Sequence, residues 1–539
     1  MPFLLFFFFA SFLTVATALA DEHEPRIHCG NAHLTPGKLK SLRAQGILTR
    51  PDLQQRHFSP SGRFLIHYDI TGPNAVSVKD ENSNSIPDYV DSAAAIFDYV
   101  WRVEIEEIGY RPPPQDTVSG AAYDIYLIDN LNGQYIYGLA YPDEEIRGSN
   151  PVRSTGYIIL DNDYSERDSV MRNGRKTRAF ADTSYVALKI SAAHEFHHLV
   201  QFGYRSSPET SGAVIGEFTS TWMEYRVYPQ YAVYEEFLPS LFRNLAEFTF
   251  SNTDPATGYR YAIFGQYIYK FYGDSLLKRT WELLGSGRDN TSAHSLLDSA
   301  FIERGSSLAE SWCGFLPWMY FTGSRVQEDK FFRNAASFPE ARFFYDSVYT
   351  IPSTTLSGIL RPYELRFLRI RLPETSPGTS GIVDIALANI DTRSLISRSD
   401  QKQNYAIAIT KSPGGGFKNI TGTPYFLKID HGNEICDTAF ISGGITPIAT
   451  AYPNPFKPRT DLEAFFPAPA ESVISGRARL TLFAANMQPL YSEQLPVEVL
   501  ENQFAVRWSN VPDAITSGIY IFAVETTDSR ILGKIVIQR

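Results

Sequence analysis

The sequence predicts a mixed α+β region followed by two all-β regions, and three observations support this division. Between about residues 56 and 345, strand-like runs come first and helical patterns follow, an order typical of α+β domains. Over residues 346–440, short β-like runs alternate with turns rich in Gly, Pro and Ser, which is typical of β-sandwiches. A further β-like region over residues 445–539 opens with the turn-rich stretch AYPNPFKPRT. A chain of 539 residues is also too long for one hydrophobic core.

The first twenty residues, MPFLLFFFFASFLTVATALA, are typical of a signal peptide, because an apolar run ends at the small-x-small pattern Ala18-Leu19-Ala20. A positively charged start is missing, which leaves an uncleaved membrane anchor as the alternative. No other stretch is long and apolar enough to span a bilayer. We therefore expect an exported protein, secreted or at the cell surface, in which residues 21–55 form a lead-in or pro-segment.

Charge and cysteine content narrow the classes of partner and of site. The net charge of −10 disfavours nucleic acid or an anionic membrane as the main partner. The three cysteines, Cys29, Cys313 and Cys436, match no metal-binding or disulfide framework, so at most one intrachain bridge forms and its pair stays open. Because Cys29 lies in the lead-in, a cysteine-switch pro-segment is one alternative for residues 21–55.

The elements of the first region are predicted in chain order. Strand-like runs are RFLIHYDI (63–70), YDIYLID (123–129) and TGYIILDND (155–163), with the helical stretch SAAAIFDYVWRVEIEEIG (92–109) between the first two. Beyond residue 184 the pattern becomes helical. The stretch TGYIILD is predicted either as an edge strand that pairs with an extended substrate or as an ordinary core strand.

The stretch SAAHEFHHLVQFGY (191–204) places three histidines and a glutamate within five positions of a predicted helix. At about 100° per residue, His194 and His198 lie about 40° apart on one helix face, with Glu195 at its edge. Pairing His194 with His197 would swing Glu195 about 130° away from the metal. We therefore predict His194 and His198 as ligands, Glu195 beside a bound water, and His197 as a polar flank or a donor on the cleft rim.

A catalytic zinc site needs a third protein ligand and an open position for water. A metzincin-type continuation requires Gly at position 201 and His at position 204, and the chain has Gln201 and Tyr204. Downstream, GEFTSTWMEY (216–225) places Glu217 eighteen residues beyond His198, and a second helix can return this carboxylate to the first.

This arrangement of HExxH, eighteen residues and Glu resembles the gluzincin metallopeptidases, which include thermolysin-like and aminopeptidase-N-like enzymes. The resemblance implies a zincin-like catalytic domain with zinc on His194, His198 and Glu217. It also implies that Glu195 takes a proton from the attacking water and passes it to the leaving amine. More narrowly, residues 60–335 resemble a family of secreted bacterial metallopeptidases, through the stretches SIPDYVD, AAHEFHHLVQFGY, EFTSTWMEY and FLPWMYFTGSR.

Further roles follow from the same resemblance. The related enzymes stabilise the oxyanion with a Tyr or His on a later helix, and among the tyrosines of YRYAIFGQYIYKFYG (259–273) we predict Tyr261. Thermolysin-like enzymes carry Asp four residues after the glutamate ligand, where this chain has Thr221, so Thr221 or Glu224 is expected to support a zinc histidine. The GxMEN segment of aminopeptidase-N-like enzymes is missing from the sequence, which favours endopeptidase action.

The stretch DENSNSIPDYVD (80–91) has the spacing of an EF-hand-like calcium loop that precedes a helix. Against this reading, Ser85 replaces the usual Gly, and the last position is Asp rather than Glu. The alternative is an Asx-rich turn that caps the helix. The predicted ligands of a structural calcium ion are Asp80, Asn82, Asn84, Ile86 (through its carbonyl), Asp88 and Asp91.

The last region resembles the C-terminal sorting domain of type IX secretion cargo, through YPNPF, a strand-rich middle, SGIY and a terminal GK before a β strand. The resemblance implies a type IX-like secretion machinery as a partner. It departs from the family pattern at ANMQPL, where a turn Gly is usual. A plain immunoglobulin-like accessory domain is the alternative.

Together these features predict a secreted zinc endopeptidase that acts on protein or peptide substrates. The alternative is a non-catalytic surface adhesin or binding protein on a degenerate zincin scaffold. Glu195 favours the enzyme, because a site that only binds needs no general base at that position.

Overall fold

A computed structural model describes residue 29 and residues 50–539 with short gaps. The gaps fall at residues 116–117, 119, 130–135, 173–174, 207–209, 288–291, 328, 349–352, 373–380, 394–400, 412–415, 419–423, 443–445, 448, 470–475, 485–487, 501–502 and 527–528. The predicted signal peptide and most of the lead-in therefore lie outside the described residues.

The protein mixes helices with several β-sheets, and its C-terminal region is all-β, as the sequence predicts at this level. The first sheet has the strand order β1-β2-β3-β5-β4. Its three central strands run parallel, and β4 pairs antiparallel with the outer side of β5. Of the two alternatives predicted for TGYIILD, the structure shows the inner strand and not the edge strand, because β4 pairs along its outer side. The strands are β1 (Gln55–Phe58), β2 (Phe64–Tyr68), β3 (Tyr123–Leu127), β4 (Gly138–Glu145) and β5 (Ser154–Leu160).

The first two helices pack against this sheet, and further helices follow along the chain. Helix α1 begins after Pro87. Two acidic residues in its first turn stabilise it, because a helix N-terminus carries a partial positive charge. The helix continues into a π-helical turn at Arg102–Glu107. A hairpin of β6 (Ser169–Arg172) and β7 (Arg175–Arg178) precedes α2. The helices are α1 (Asp88–Trp101), α2 (Ser184–Phe202), α3 (Thr210–Val227), α4 (Leu238–Arg243), α5 (Ala256–Tyr261), α6 (Phe264–Tyr272), α7 (Ser275–Leu284), α8 (Ala293–Ile302) and α9 (Leu308–Tyr320), with short 3-10 turns at Val233–Phe237, Gly323–Arg325 and Ala335–Ser337.

Helix α2 is buried on all sides rather than along one stripe. Its residues from Ile190 to Phe202 are all buried, and they include His194, Glu195, His197 and His198. Polar groups buried in this way need hydrogen-bond or metal partners to offset their lost hydration. The sequence of α2 is therefore explained by what its polar side chains contact.

Two further sheets follow the helical region, with strand orders β15-β11-β10-β8 and β16-β13-β14-β12-β9. The first of them packs on α9, where the rings of Tyr320 and Phe440 stack with centroids 3.8 Å apart. A disulfide joins Cys313 to Cys436 across the same contact, which identifies the bridged pair that the sequence left open. The strands are β8 (Tyr345–Val348), β9 (Ser353–Leu360), β10 (Leu365–Arg371), β11 (Ile382–Asn389), β12 (Gln403–Lys411), β13 (Phe417–Lys418), β14 (Pro424–His431), β15 (Ile435–Ser442) and β16 (Thr446–Pro447).

The C-terminal strands form one seven-stranded sheet in the order β17-β23-β22-β19-β20-β21-β18. Its core is a separate hydrophobic cluster that includes Phe466, Trp508 and Phe522. Among the described residues, no helix has both the length and the apolar character needed to cross a membrane. The domain limits stay predictions. The strands are β17 (Ala449–Thr450), β18 (Ala464–Pro467), β19 (Arg477–Phe483), β20 (Pro489–Leu500), β21 (Gln503–Trp508), β22 (Gly518–Glu525) and β23 (Arg530–Ile537).

Candidate metal centre

The side chains of His194, His198 and Glu217 meet where α2 packs against α3. The Nε2 atom of His194 lies 3.2 Å from Nε2 of His198 and 3.2 Å from Oε2 of Glu217. Nε2 of His198 lies 3.6 Å from the same carboxylate oxygen. Ligands at the corners of a tetrahedral zinc site are about 3.4 Å apart, because each is about 2.0–2.2 Å from the metal. The spacing of these three atoms therefore fits a metal ion.

The hydrogen bonds on the far side of each imidazole decide which nitrogen carries the proton. Gln201 donates its amide N–H to the Gly216 carbonyl, so its Oε1 accepts from Nδ1 of His198 at 2.8 Å. The carboxylate of Glu224 accepts from Nδ1 of His194 at 2.6 Å. With both protons on Nδ1, the two Nε2 lone pairs and the Glu217 carboxylate face one another. In that tautomer the three acceptors repel at this distance, unless a cation lies between them or one Nε2 atom is protonated.

The charges show the same demand for a cation. Burial lowers the pKa of His194, but hydrogen bonds to Glu217 and Glu224 outweigh it and raise this pKa to about 10. Burial also raises the pKa of Glu217, and the neighbouring His198 and His194 reverse this and lower it below its usual range. The pocket thus stabilises one positive charge beside Glu217, supplied either by an imidazolium or by a metal ion.

Glu195 lies on the same helix beside the ligand atoms. Burial raises the pKa of Glu195, against the opposing effect of His194 and His198. Its side chain fits there because position 138 of the edge strand is glycine: a Cβ at Gly138 would lie 2.6 Å from Cγ of Glu195. The edge strand β4 therefore passes directly against the predicted base.

The tyrosine beside the ligands is Tyr259 and not the predicted Tyr261. The ring of Tyr259 stacks on His194 with centroids 5.7 Å apart, whereas the Tyr261 hydroxyl donates to the Phe248 carbonyl and its ring packs in the core. The adjacent Gly258 allows α5 to approach this closely, because a Cβ there would lie 2.7 Å from Cβ of Glu217. Tyr259 and Tyr261 are two positions apart on α5 and therefore point in different directions, and the structure places Tyr259 rather than Tyr261 beside His194.

Of the two residues predicted to support a zinc histidine, Glu224 hydrogen-bonds to His194 and Thr221 hydrogen-bonds to neither predicted ligand. Glu224 contacts Nδ1 of His194, as described above. Thr221 is buried, and its hydroxyl has no hydrogen-bond partner among the described residues. The partner of His198 is Gln201, on the next turn of α2, which the sequence analysis treated only as a departure from the metzincin pattern.

His197 is not on a cleft rim. It is fully buried on a neighbouring face of α2, where its Nδ1 lies 2.7 Å from Oε2 of Glu104 in the π-helical turn. Burial raises the pKa of Glu104 and lowers that of His197, so both tend toward their neutral forms. The expectation of a rim position is wrong because the first helical segment and its π turn cover that face of α2.

Cys29 also reaches the metal centre. The ligand atoms of Cys29, His194, His198 and Glu217 all lie within 4.8 Å of one another. The Cys29 sulfur is a buried thiol that lies 3.4 Å from Oε2 of Glu195. A thiolate, two imidazoles and a carboxylate together are a donor set that zinc accepts.

The loop at residues 80–91 has a different arrangement. Asp80 accepts the backbone N–H groups of Asn84 and Ser85, and Asn82 and Asn84 donate their amides to the Asp91 carboxylate. Asp88 accepts the Glu81 N–H, and Ile86 donates its own N–H to Asn84. Among the described residues, two groups of three or more His, Cys, Asp or Glu bring ligand atoms within 4.8 Å, and neither includes this loop.

Comparison with known proteins adds no identity. No model of a known family matches the chain, and no curated protein matches it. Among solved structures, the neural ectodermal development factor IMP-L2 is similar over 36% of this chain and 89% of its own, at 14% identity and a TM-score of 0.11. That score carries no argument about fold or function, so function is argued from the geometry.

Proposed function

We propose that the chain is a secreted zinc endopeptidase of the gluzincin type, built on a zincin-like domain. One observation carries the proposal: the Nε2 atoms of two imidazoles and one carboxylate oxygen converge at 3.2–3.6 Å, with a second carboxylate, Glu195, beside them. Two imidazoles and one carboxylate are the protein ligands of catalytic zinc in related chemistry. The resemblance in sequence supports the same assignment.

The chain's own residues would divide the work of hydrolysis. Zinc held by His194, His198 and Glu217 would polarise the scissile carbonyl and acidify the attacking water. Glu195 would take the water proton and deliver it to the departing amine nitrogen. Tyr259, whose hydroxyl keeps its proton because burial raises its pKa, would donate a hydrogen bond to the oxyanion.

The edge strand β4 gives an extended substrate a place to bind. It lies outside β5 in the sheet, and its first residue, Gly138, is against Glu195. A peptide added along this edge would bring its carbonyls close to the metal centre by main-chain hydrogen bonds. Binding through the main chain along a strand suits cleavage within a polypeptide, in agreement with the missing GxMEN segment.

The test measures metal and cleavage on the same samples of the full chain. Because the Cys29 sulfur lies against Glu195, each measurement is made in the natural chain and in a Cys29→Ser background. We expect one zinc per chain by elemental analysis and cleavage of casein or a peptide library. Glu195→Gln should lower cleavage by about 10²–10⁴-fold while zinc is retained.

The surface variant Glu303→Gln is the matched control, because Glu303 is exposed and pairs with Arg279 away from the centre. It should leave zinc and cleavage unchanged. Bound zinc without cleavage in either background would contradict the peptidase and favour the binding-protein alternative. Equal cleavage by Glu195→Gln would contradict the role of Glu195.

For residues 445–539 we propose the sorting role that their sequence resemblance implies. Support comes from the separate hydrophobic core of this all-β region, which lets it act as a module. In a bacterium with a type IX machinery, deletion of these residues should trap the chain in the periplasm. Unchanged export of the shortened chain would leave a plain accessory domain as the explanation.

A further inference from the structure

We propose that Cys29 is a fourth ligand of the metal centre, so that the chain folds as a latent enzyme. This inference rests on the proposed function for its consequence, latency, but the ligation can be measured without any cleavage. It starts from the position of the Cys29 sulfur among three side chains from two helices more than 160 residues away in sequence.

Three separate contacts define this position. The Cys29 backbone forms a parallel bridge with Gly138 at the edge of the first sheet. Its N–H donates to the Tyr259 hydroxyl at 3.1 Å, and its sulfur lies 3.4 Å from Oε2 of Glu195. Cys29 is 0% exposed and packs with Phe237 and Tyr259 in a small buried cluster. A cysteine held from its backbone and its side chain is a placed ligand rather than a passing contact.

The position that Cys29 occupies is the one that catalysis requires. Three protein ligands would leave one tetrahedral position for water, and the Cys29 sulfur lies within 4.8 Å of their ligand atoms and 3.4 Å from Oε2 of Glu195. The bridge to Gly138 also occupies the edge strand that would bind an extended substrate. Cys29 would therefore take the position of the water, contact the predicted base Glu195 and occupy the strand edge that would bind substrate.

The chemistry of the step is ligand exchange without oxidation. On metal binding the thiol loses its proton to solvent, and the sulfur forms the fourth bond. When Cys29 leaves, that bond breaks, the thiolate takes up a proton, and water can enter the position. Displacement of Cys29 is thus sufficient for activation, and no oxidant or reductant is needed.

The first measurement uses metal spectroscopy on the full chain. Cobalt(II) is loaded in place of zinc into the natural chain and into Cys29→Ser, and bound metal is counted in both. The natural chain should show the near-ultraviolet charge-transfer absorption of a cobalt–thiolate bond, and Cys29→Ser should lack it at equal metal content. Because Cys313 and Cys436 form a disulfide, Cys29 is the one thiol of the three cysteines, so the band has a single source.

The second measurement is thiol reactivity. Maleimide should label Cys29 slowly in the zinc-loaded chain and faster after the metal is chelated, as read by mass spectrometry. Glu224→Gln, which keeps all four ligands but weakens the support of His194, should lie between these limits. Equal labelling rates of Cys29 with and without bound metal would contradict its role as a ligand.

Cleavage then separates latency from ligation. With zinc bound, Cys29→Ser should cleave at least about 10-fold faster than the natural chain, and adding Glu195→Gln should remove that gain. Identical cobalt spectra with active enzyme in both forms would overturn Cys29 as a ligand and leave the peptidase standing. A thiolate band with no cleavage in Cys29→Ser would overturn the peptidase and leave the ligation standing.

Discussion

Two segments of this chain have the spacing of metal ligands in sequence, and the structure arranges them differently. His194 and His198 of the HEFHH segment direct their Nε2 atoms at one another in a buried site. The two residues are 2% and 4% exposed. The loop at residues 80–91 is at the surface, with Asn82 and Asn84 exposed, and its oxygens accept hydrogen bonds from its own chain. The first segment could hold a metal ion, whereas oxygens of the second already accept hydrogen bonds within the loop.

The difference between the two segments shows what a metal site requires beyond the spacing of its ligands in sequence. Within each segment, spacing places side chains on one face, which local geometry alone determines. What separates the two is the second element: Glu217 on α3 completes the histidine pair, and Glu224 fixes the tautomer of His194. From outside the loop, Nε2 of His57 approaches the Asp91 carboxylate at 3.6 Å.

The largest effect on zinc binding is expected at His198, which we predict to be a direct ligand of the metal. His198→Ala should weaken zinc binding by more than about 100-fold, beyond the roughly 10–100-fold that loss of an outer partner causes. Dialysis against a graded zinc buffer followed by elemental analysis measures it. His431→Ala, in the β14 strand of the accessory sheet, is the matched control and should keep full zinc. Retention of zinc by His198→Ala would contradict the assignment of His198 as a ligand and, with it, the contrast between the two segments.

A smaller effect is expected at Glu224, which acts through His194. Glu224→Gln keeps the shape of the side chain but removes its charge, so zinc affinity should fall by about 10-fold, the low end of such effects. Thr221→Val is the control, because its hydroxyl has no partner among the described residues and its loss should leave zinc affinity unchanged. A larger loss from Thr221→Val than from Glu224→Gln would reverse the assignment.

The spacing of the ligands was predictable from the sequence because it depends on one helix. His194 and His198 are four residues apart, so helical phase alone brings them to one face, and the structure places both beside Glu217. Glu217 was suggested by spacing and resemblance, not by phase. Strands β2, β3 and β5 were also predictable, because each is a clear apolar run, whereas β1 and β4 were not predicted.

The surroundings of the ligands were not predictable, because they depend on how separate elements approach. Tyr259 replaces Tyr261 because Gly258 lets α5 come close to Glu217. Glu104 covers His197 because helix α1 ends in a π turn, which no local pattern indicated. Two glycines, at positions 138 and 258, were the available signals, since both mark places where another chain segment comes within contact distance of a helix.

The third histidine of the cluster, His197, is expected to contribute to the stability of the fold and not to metal binding. His197→Ala should lower the free energy of unfolding by about 1–3 kcal/mol, because Glu104 is left without its buried partner. Zinc content should not change. The measurement is urea denaturation of the zinc-loaded chain beside elemental analysis.

The control for this prediction replaces both partners. The double variant Glu104→Leu with His197→Phe removes both polar groups, so it should recover part of the lost stability. Loss of zinc in His197→Ala, with zinc retained in His198→Ala, would show that His197 rather than His198 pairs with His194 on the metal. In that case the ligand assignment would be wrong.

The smallest effect is expected at the loop, where calcium has to compete with existing hydrogen bonds. Binding would require Asn82 and Asn84 to turn their amide oxygens inward and give up their bonds to Asp91. A site of this kind has an affinity near that of extracellular modules, with a Kd of about 1 mM. At about 5 mM calcium, the gain in unfolding free energy is then about 1 kcal/mol.

Thermal unfolding with excess zinc, and with calcium or magnesium added at equal concentration, measures this gain. We expect a rise in Tm of a few degrees or less with calcium, no rise with magnesium, and no rise with calcium in Asp91→Asn. Asp91 is the informative position, because both asparagine amides converge on its carboxylate while Asp80 is engaged by backbone N–H groups. If the natural chain shows no calcium-dependent shift and Asp80→Ala alone lowers Tm, the loop is the Asx-rich turn before α1. Its resemblance to a calcium loop would then come from the same oxygens binding backbone N–H groups instead of a cation.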